Sequence, residues 1–305
     1  EFGGRTRNTL SERRDGSAFR GGDNAEQGMV SCLRGRSSAG VCKTSERYLE
    51  EQILSRMEVA VMAGMIRLDK FLAEMKKGTR SQVKEAVRKG RVTVDGAVCR
   101  SSDFKFDPEV SGVCMDGEPV SYARMEYFML NKPQGVVSAT EDNLHPTVIS
   151  LIGDAKRKDL FPVGRLDIDT EGLLLITNDG KLAHELLSPK KHVDKVYFAK
   201  VKGTLREDIV QAFAGGITLA DQTTVLPAEL LIESSYEEAG EPVCEARLTI
   251  HEGKFHQVKR MFEAAGGQVV FLKRLSMGPL TLDPKLKPGE SRLLTGKEIK
   301  ALGRV

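Results

Sequence analysis

The sequence predicts an α+β protein with a mixed, mainly antiparallel central sheet flanked by helices, and a small α/β module ahead of it. Two observations carry this reading. Stretches of period-two and helical-period apolar residues follow one another, but not in the strict strand–helix–strand order that builds a parallel sheet. Basic residues are concentrated in one short block, apart from the strand-rich remainder.

The chain has 305 residues, enough for two domains and at least one sizeable core. Hydrophobic residues make up 40% and charged residues 29%, which fits a soluble globular protein. No apolar run approaches the roughly 20 residues a membrane helix needs. The five cysteines (Cys32, Cys42, Cys99, Cys114 and Cys244) are odd in number and form no C-x-x-C pair, so neither a disulfide framework nor a zinc ribbon is indicated. Reduced thiols in a cytoplasmic protein are the simplest reading. The chain lacks H-E-x-x-H, G-x-G-x-x-G and G-x-x-x-x-G-K-[ST], so nothing calls for a metal, a dinucleotide or a nucleoside triphosphate, and no cofactor is expected.

Residues 1–64 carry Arg, Gly and Ser without an apolar period until about Tyr48, and read as a disordered or non-native tail. Glu1, Glu12, Asp15, Asp23 and Glu26 argue against a transit peptide, and no signal-peptide core is visible. Folding is expected to start near Met65, and removal of residues 1–60 to leave fold and activity intact.

Residues 65–123 form the basic module. Leu68, Phe71, Leu72 and Met75 recur at i, i+3, i+4 and i+7, one apolar face of a helix. Thr79-x-x-Gln82 is a capping-box pattern for a second helix, which Gly90 is placed to end. Val92–Val94, Asp95-Gly96 and Ala97-Val98 read as strand, tight turn and strand, and Asp116-Gly117 marks another turn. From Met65 to Asp107 there are 11 Lys+Arg and 6 Asp+Glu, a local net of 11 − 6 = +5 on a chain whose total is +3. Such a block suits a polyanion partner, although charged runs are commonly just solvated helix faces.

Residues 124–305 hold the second domain. Tyr127–Leu130 reads as a strand ending in Asn131-Lys132-Pro133-Gln134-Gly135. Leu173–Thr177 is a strand, 181–187 a helix, and Lys195–Val201 a strand with Tyr197, Ala199 and Val201 on one face. Thr204-x-x-Glu207 reads as the capping box of a further helix. Cys244–Ile250 reads as a strand, 257–265 as a helix, and Thr295-x-x-Glu298 opens a last helix.

The segment Gly164-Arg165-Leu166-Asp167-Ile168-Asp169-Thr170-Glu171-Gly172 is too polar and irregular for a strand, and the apolar run from Leu173 follows at once. A carboxylate at the edge of a buried strand, two residues after an arginine, suits covalent or acid/base chemistry. On spacing alone, Asp167 and Asp169 as turn formers is the more common use of such residues.

Four segments in order resemble the motifs of the RsuA-type ribosomal pseudouridine synthases. They are Asn131–Gly135, Gly164–Leu173, Lys195-Val196-Tyr197, and Glu252-Gly253-Lys254-Phe255-His256-Gln257-Val258-Lys259-Arg260-Met261. Upstream, Arg67-Leu68-Asp69-Lys70-Phe71-Leu72 and Gly90-Arg91-Val92-Thr93-Val94-Asp95-Gly96 resemble the S-four-type RNA-binding module. The resemblance covers about Met65 to Leu302. It implies a pseudouridine synthase fold behind an RNA-binding module, an isomerase that needs no cofactor, and ribosomal RNA as partner.

The resemblance assigns Asp167 as the catalytic carboxylate. It is compatible with addition to the base, attack on the sugar carbon, or passage through a glycal. It assigns Tyr197 to packing on the target base and helping proton removal from C5, where a tyrosine on a half-buried strand is the plainer reading. Lys259 takes the position of a basic partner to the aspartate. Arg260 is adjacent, but helical neighbours point about 100° apart, so only one faces Asp167 and Lys259 is favoured. Arg165 is expected to hold the phosphate or ribose and help extrude the uridine, since a stacked base cannot be reached. Arg260, Arg67, Lys70, Arg80, Lys84, Arg88, Lys89 and Arg91 are the further RNA contacts, with Asp169 and Thr170 shaping the loop. His145-Pro146-Thr147-Val148 and Phe255–Lys259 resemble the small-subunit branch, implying 16S rRNA or a partly assembled small subunit as substrate for a monomeric enzyme. The alternatives are a 23S rRNA enzyme of the same family and a non-catalytic RNA-binding assembly factor. His256 is either a site residue or a structural helix-end histidine.

Overall fold

The structure is a computed structural model that describes residues 64–304. All but the last residue of the expected tail at 1–64 therefore lies outside the described residues.

The first part is built from short elements. Strand β1 (Ile66–Arg67) leads into α1 (Leu68–Glu74), whose Leu68, Phe71 and Leu72 are buried together with the following Met75. Helix α2 (Arg80–Arg88) starts at a true capping box. The Thr79 hydroxyl accepts from the Gln82 N–H, and the Gln82 side chain accepts from the Thr79 N–H. Gly90, at φ +74°, takes the left-handed conformation just past its end. Strands β2 (Val92–Val94), β3 (Ala97–Val98), β4 (Lys105–Phe106), β5 (Val113–Met115) and β6 (Glu118–Pro119) follow. A four-stranded antiparallel sheet runs β3-β2-β5-β6, while β4 pairs with β1. Their apolar faces close one cluster around Phe71, Val83, Val87 and Phe106.

The rest is one nine-stranded sheet. Its strands are β7 (Tyr127–Lys132), β8 (Phe161–Pro162), β9 (Glu171–Thr177), β10 (Lys195–Lys202), β11 (Glu229–Glu238), β12 (Glu241–Ile250), β13 (Gln268–Met277), β14 (Leu280–Thr281) and β15 (Ser291–Leu293). The order is β11-β12-β10-β13-β9-β7-β15, with β14 on β13 and β8 on β9. Only the β9–β13 pairing is parallel, so the sheet is mixed and mainly antiparallel, as expected. Helices α3 (Gly180–Leu187), α4 (Ile209–Gly215), α5 (Gln257–Ala264) and α6 (Gly296–Ala301) flank it. The sheet centre is buried on both faces. Along β9, Leu174 and Ile176 enter one cluster, and Leu173 and Leu175 the other. That explains why β9 is an unbroken apolar run rather than an alternation. Among the described residues, no helix is long and apolar enough to cross a membrane.

The structure corrects two expectations. Thr204-x-x-Glu207 does not open a helix: α4 begins only at Ile209, with Asp208 before it. The Arg206 N–H is spent on the Ala265 carbonyl and its guanidinium on Asp208, so this stretch is tied to the end of α5. Strand β7 also runs two residues beyond Leu130, through Asn131 and Lys132, which pair with Leu173 and Gly172. The long strands β11 and β13 were not foreseen. β11 is polar from Glu233 onward, and the apolar residues of β13 do not alternate with its polar ones, so neither shows a period-two pattern.

The two parts meet at Arg157, a buried side chain that donates to Glu74 of α1, to Asp159 and to the Ala123 carbonyl. The Lys158 N–H donates to the Glu74 carbonyl at 2.8 Å. Burial of the guanidinium works against its charge, but these two carboxylates outweigh it and raise its pKa.

Candidate active site

Asp167 lies on the turn between β8 and β9, four residues before the sheet resumes. The turn is held from behind. Lys132 at the end of β7 is fully buried, and its Nζ donates to the carbonyls of Pro133, Asp167 and Thr170, each at 2.9 Å. Ser138 closes the other side, its hydroxyl donating to the Leu166 carbonyl and accepting from the Leu166 N–H. The Gly135 N–H donates to the Ile168 carbonyl. With the main chain clasped in this way, the Asp167 carboxylate projects outward and is partly exposed.

It projects into a cavity of about 70 Å³ whose lining includes Arg165, Asp167, Thr170, Tyr197, His256 and Lys259. Tyr197 comes from the buried face of β10 and Lys259 from the first turn of α5. Asp167, Tyr197 and Lys259, distant in sequence, therefore share one cavity. The Lys259 Nζ lies 3.4 Å from Asp167 and 2.5 Å from Asp169. Asp169 is thus a direct partner of the lysine rather than only a loop former. Burial would raise the Asp169 carboxyl, but the Lys259 hydrogen bond and charge outweigh it and hold the group below the ordinary range. Burial pulls Lys132 down to about 8, with Asp169 and Asp167 only partly opposing the shift.

His256 also belongs to this group. Its backbone is left-handed at φ +47°, and it occupies the cap position of α5 without capping it. Its Nε2 instead sits 3.4 Å from the second oxygen of Asp167. Arg260 points elsewhere, to Asp221 at 2.5 Å, as the helical rotation requires. Arg165 is exposed on the cavity rim and has no carboxylate within ion-pair reach among the described residues. Sequence reasoning did not foresee Ser138, whose use depends on a contact 28 residues away.

The basic residues of the first part are all exposed. Arg80, Lys84 and Arg88 stand at i, i+4 and i+8 along α2, an exposed stripe adjoining its buried Val83 and Val87. Several are engaged with carboxylates: Arg67 with Asp69, Lys70 with Glu74, Lys84 with Asp69, Lys89 with Glu85, and Arg91 with Asp116. Arg80 and Arg88 make no ion pair among the described residues.

Comparison with known proteins decides what this cavity belongs to. Residues 126–264 match the family model described as RNA pseudouridylate synthase. An uncharacterized RNA pseudouridine synthase, YtzG of Bacillus subtilis, is 46% identical over 238 residues, covering 78% of this chain and 98% of its own. The chain belongs to the RNA pseudouridylate synthase family. The synthase is therefore an isomerase, and residues 66–110 match the S4 domain. It is also similar to the ribosomal small subunit pseudouridine synthase A of Yersinia pestis (43% identity, 78% of this chain and 98% of that one). The protein of the same name from Escherichia coli is 42% identical over 78% of this chain and 100% of its own. A crystal structure of a pseudouridylate synthase superposes with a TM-score of 0.53 at 38% identity, covering 78% of this chain and 99% of that one. All four motif segments of the synthase converge on the cavity. The first supplies Lys132 beneath it, the second Asp167, the third Tyr197, and the fourth His256 and Lys259.

Proposed function

We propose that this synthase converts one uridine of 16S ribosomal RNA to pseudouridine, acting as a cytoplasmic monomer. The RNA-binding module comprises residues 65–123 and the catalytic domain residues 124–305. In the reaction the C1′–N1 bond breaks, the uracil turns, and C1′–C5 forms. C5 loses its proton and N1 gains one, so the product is an isomer of the substrate. The single observation that carries the reading is the shared cavity of Asp167, Tyr197 and Lys259. Asp167 acts at the reacting sugar or base, Lys259 sets a positive charge 3.4 Å from its carboxylate, and Tyr197 packs on the uracil and assists departure of the C5 proton. Arg165 on the rim takes the phosphate or ribose of the extruded nucleotide. Arg67, Lys70, Arg80, Lys84, Arg88, Lys89 and Arg91 hold the surrounding RNA. Arg260, paired with Asp221, holds RNA by exchanging that carboxylate for a phosphate, as the paired cations of the basic module do.

The 16S target rests on relatives named for the small subunit at 42–43% identity over nearly their whole length. The test is pseudouridine mapping of rRNA from a strain lacking the gene, complemented with wild type or Asp167→Ala. One 16S position should lose its pseudouridine and regain it only with wild type. Loss at a 23S position would move the target, and rescue by Asp167→Ala would remove Asp167 from the chemistry.

A further inference from the structure

The fourth motif segment leaves an unexplained pair at the cavity mouth. Phe255 is 73% exposed, yet its ring is stacked on His256, with centroids 3.9 Å apart and planes 17° from parallel. The His256 ring is fixed from the other direction by Asp167, 3.4 Å from its Nε2. The main chain beneath is also held: the Arg260 Nη1 donates to the Phe255 carbonyl, and the Gln257 side chain accepts from the Lys254 N–H. An aromatic side chain is therefore presented to solvent in a fixed orientation. It stands one ring away from the catalytic carboxylate, stacked on His256, which lines the cavity together with the exposed Arg165. Burial of apolar area does not account for it, because most of the Phe255 ring remains in water.

We propose that Phe255, backed by His256, is a stacking platform for the nucleobase next to the target uridine. This rests on the reading above that the cavity receives a uridine drawn out of an RNA strand. Extruding a base strips its neighbour of a stacking partner, and an aromatic ring at the mouth of the pocket replaces it. The target base goes inside, against Tyr197, and the neighbour stays outside on the face of the Phe255 ring turned away from His256. The flanking charge suits a nucleic-acid strand, since Arg165, Lys254 and Lys259 all line the cavity below the pair. Stacking on an aromatic ring accepts any base, so the platform contributes affinity and register rather than sequence choice.

The chain contains no tryptophan, so Phe255→Trp creates a single fluorescent reporter at the site itself. Saturating 16S rRNA transcript should quench its emission. Leu293→Trp, at a position 56% exposed on β15, should not be quenched. Tritium release from 16S rRNA labelled at uridine C5 should show kcat/KM lowered about fivefold or more in Phe255→Ala and Phe255→Leu, and within twofold of wild type in Phe255→Trp. Leu keeps the apolar bulk, so failure of Leu with rescue by Trp separates stacking from packing. Unquenched emission together with wild-type rates for Phe255→Ala would overturn the platform while leaving the uridine reaction in place. Quenching without tritium release by wild type would do the reverse, keeping the platform and rejecting the 16S target. A Phe255→Ala defect confined to 16S rRNA assembled with small-subunit proteins, absent on free RNA, would assign Phe255 to a protein partner and also reject the platform.

Discussion

The amine of Lys132 donates to the main-chain carbonyl of Asp167 at 2.9 Å, so the Asp167 loop is held through its backbone by a fully buried cation. Lys132 belongs to the first motif segment and Asp167 to the second. The two are brought together because Lys132 ends β7 opposite Gly172 at the start of β9. Lys132→Met preserves length but leaves three carbonyls without their donor. Each such loss costs roughly 1–3 kcal/mol, while removal of a buried charge returns part of it. The melting temperature should therefore fall by only a few degrees, whereas kcat falls at least tenfold because the Asp167 turn loosens. Calorimetry and single-turnover tritium release check the two halves; an unchanged rate would show that the clamp is dispensable.

The same lysine predicts a pH dependence. It loses its proton at about 8 in the fold, against roughly 10.4 in an unfolded chain. Between these values the unfolded state binds more protons, so the contribution of Lys132 to stability rises with pH, by roughly 3 kcal/mol at most. A neutral amine has fewer N–H groups to share among the carbonyls, so activity should fall through pH 8 while the fold tightens. The melting temperature of wild type relative to Lys132→Met should increase from pH 7 to pH 9.5, and kcat of wild type should decline. A rate that holds constant to pH 9.5 would contradict the charged clamp.

Lys259 divides itself between two carboxylates, with Asp169 nearer than Asp167. Removing the cation withdraws the charge that faces Asp167, and loss of one such electrostatic group typically costs roughly 100-fold in rate. Lys259→Met should show a loss of that order in kcat. Asp169→Asn removes only the competitor and should stay within about threefold of wild type. Equal damage from the two substitutions would make Asp169 part of the chemistry.

Gly172→Ala tests the joint between β9 and β13. Gly172 sits at φ +104°, and a Cβ there would lie 2.2 Å from the Arg274 carbonyl oxygen and 2.6 Å from its nitrogen. Both atoms are backbone of the strand that pairs parallel with β9, so neither can move aside. The substitution should destabilise by at least about 3 kcal/mol or abolish soluble expression. A melting temperature within a few degrees of wild type would mean that the joint can open.

What the sequence disclosed follows from range. Local signals were legible: the capping boxes at Thr79 and Thr295, the Asp95-Gly96 and Asp116-Gly117 turns, the apolar face of α1, and the buried run of β9. Thr204-x-x-Glu207 misled because the Arg206 amide is committed to the Ala265 carbonyl, 59 residues on, which no local pattern encodes. The four motif segments pointed to the site, but the support of Asp167 by Lys132 and Ser138, and the sharing of Lys259 with Asp169, exist only once the strands pair.

RNA attachment by the basic module gives a graded prediction. Arg80 and Arg88 are exposed without an ion-pair partner among the described residues, whereas Lys89 is tied to Glu85 at 2.8 Å. Exposed pairs are weak and can be exchanged for phosphates, but an unpaired cation needs no exchange. Reversing Arg80 and Arg88 together to Glu should weaken binding of 16S rRNA more than reversing Lys89 alone. It should also reduce the slope of log affinity against log salt by about one to two, since each phosphate contact contributes roughly 0.7 to 0.9. Asp167→Ala should leave that slope unchanged, because it removes no cation. Titrations from low to moderate salt distinguish the variants, and an unaltered slope in the double reversal would take α2 off the RNA.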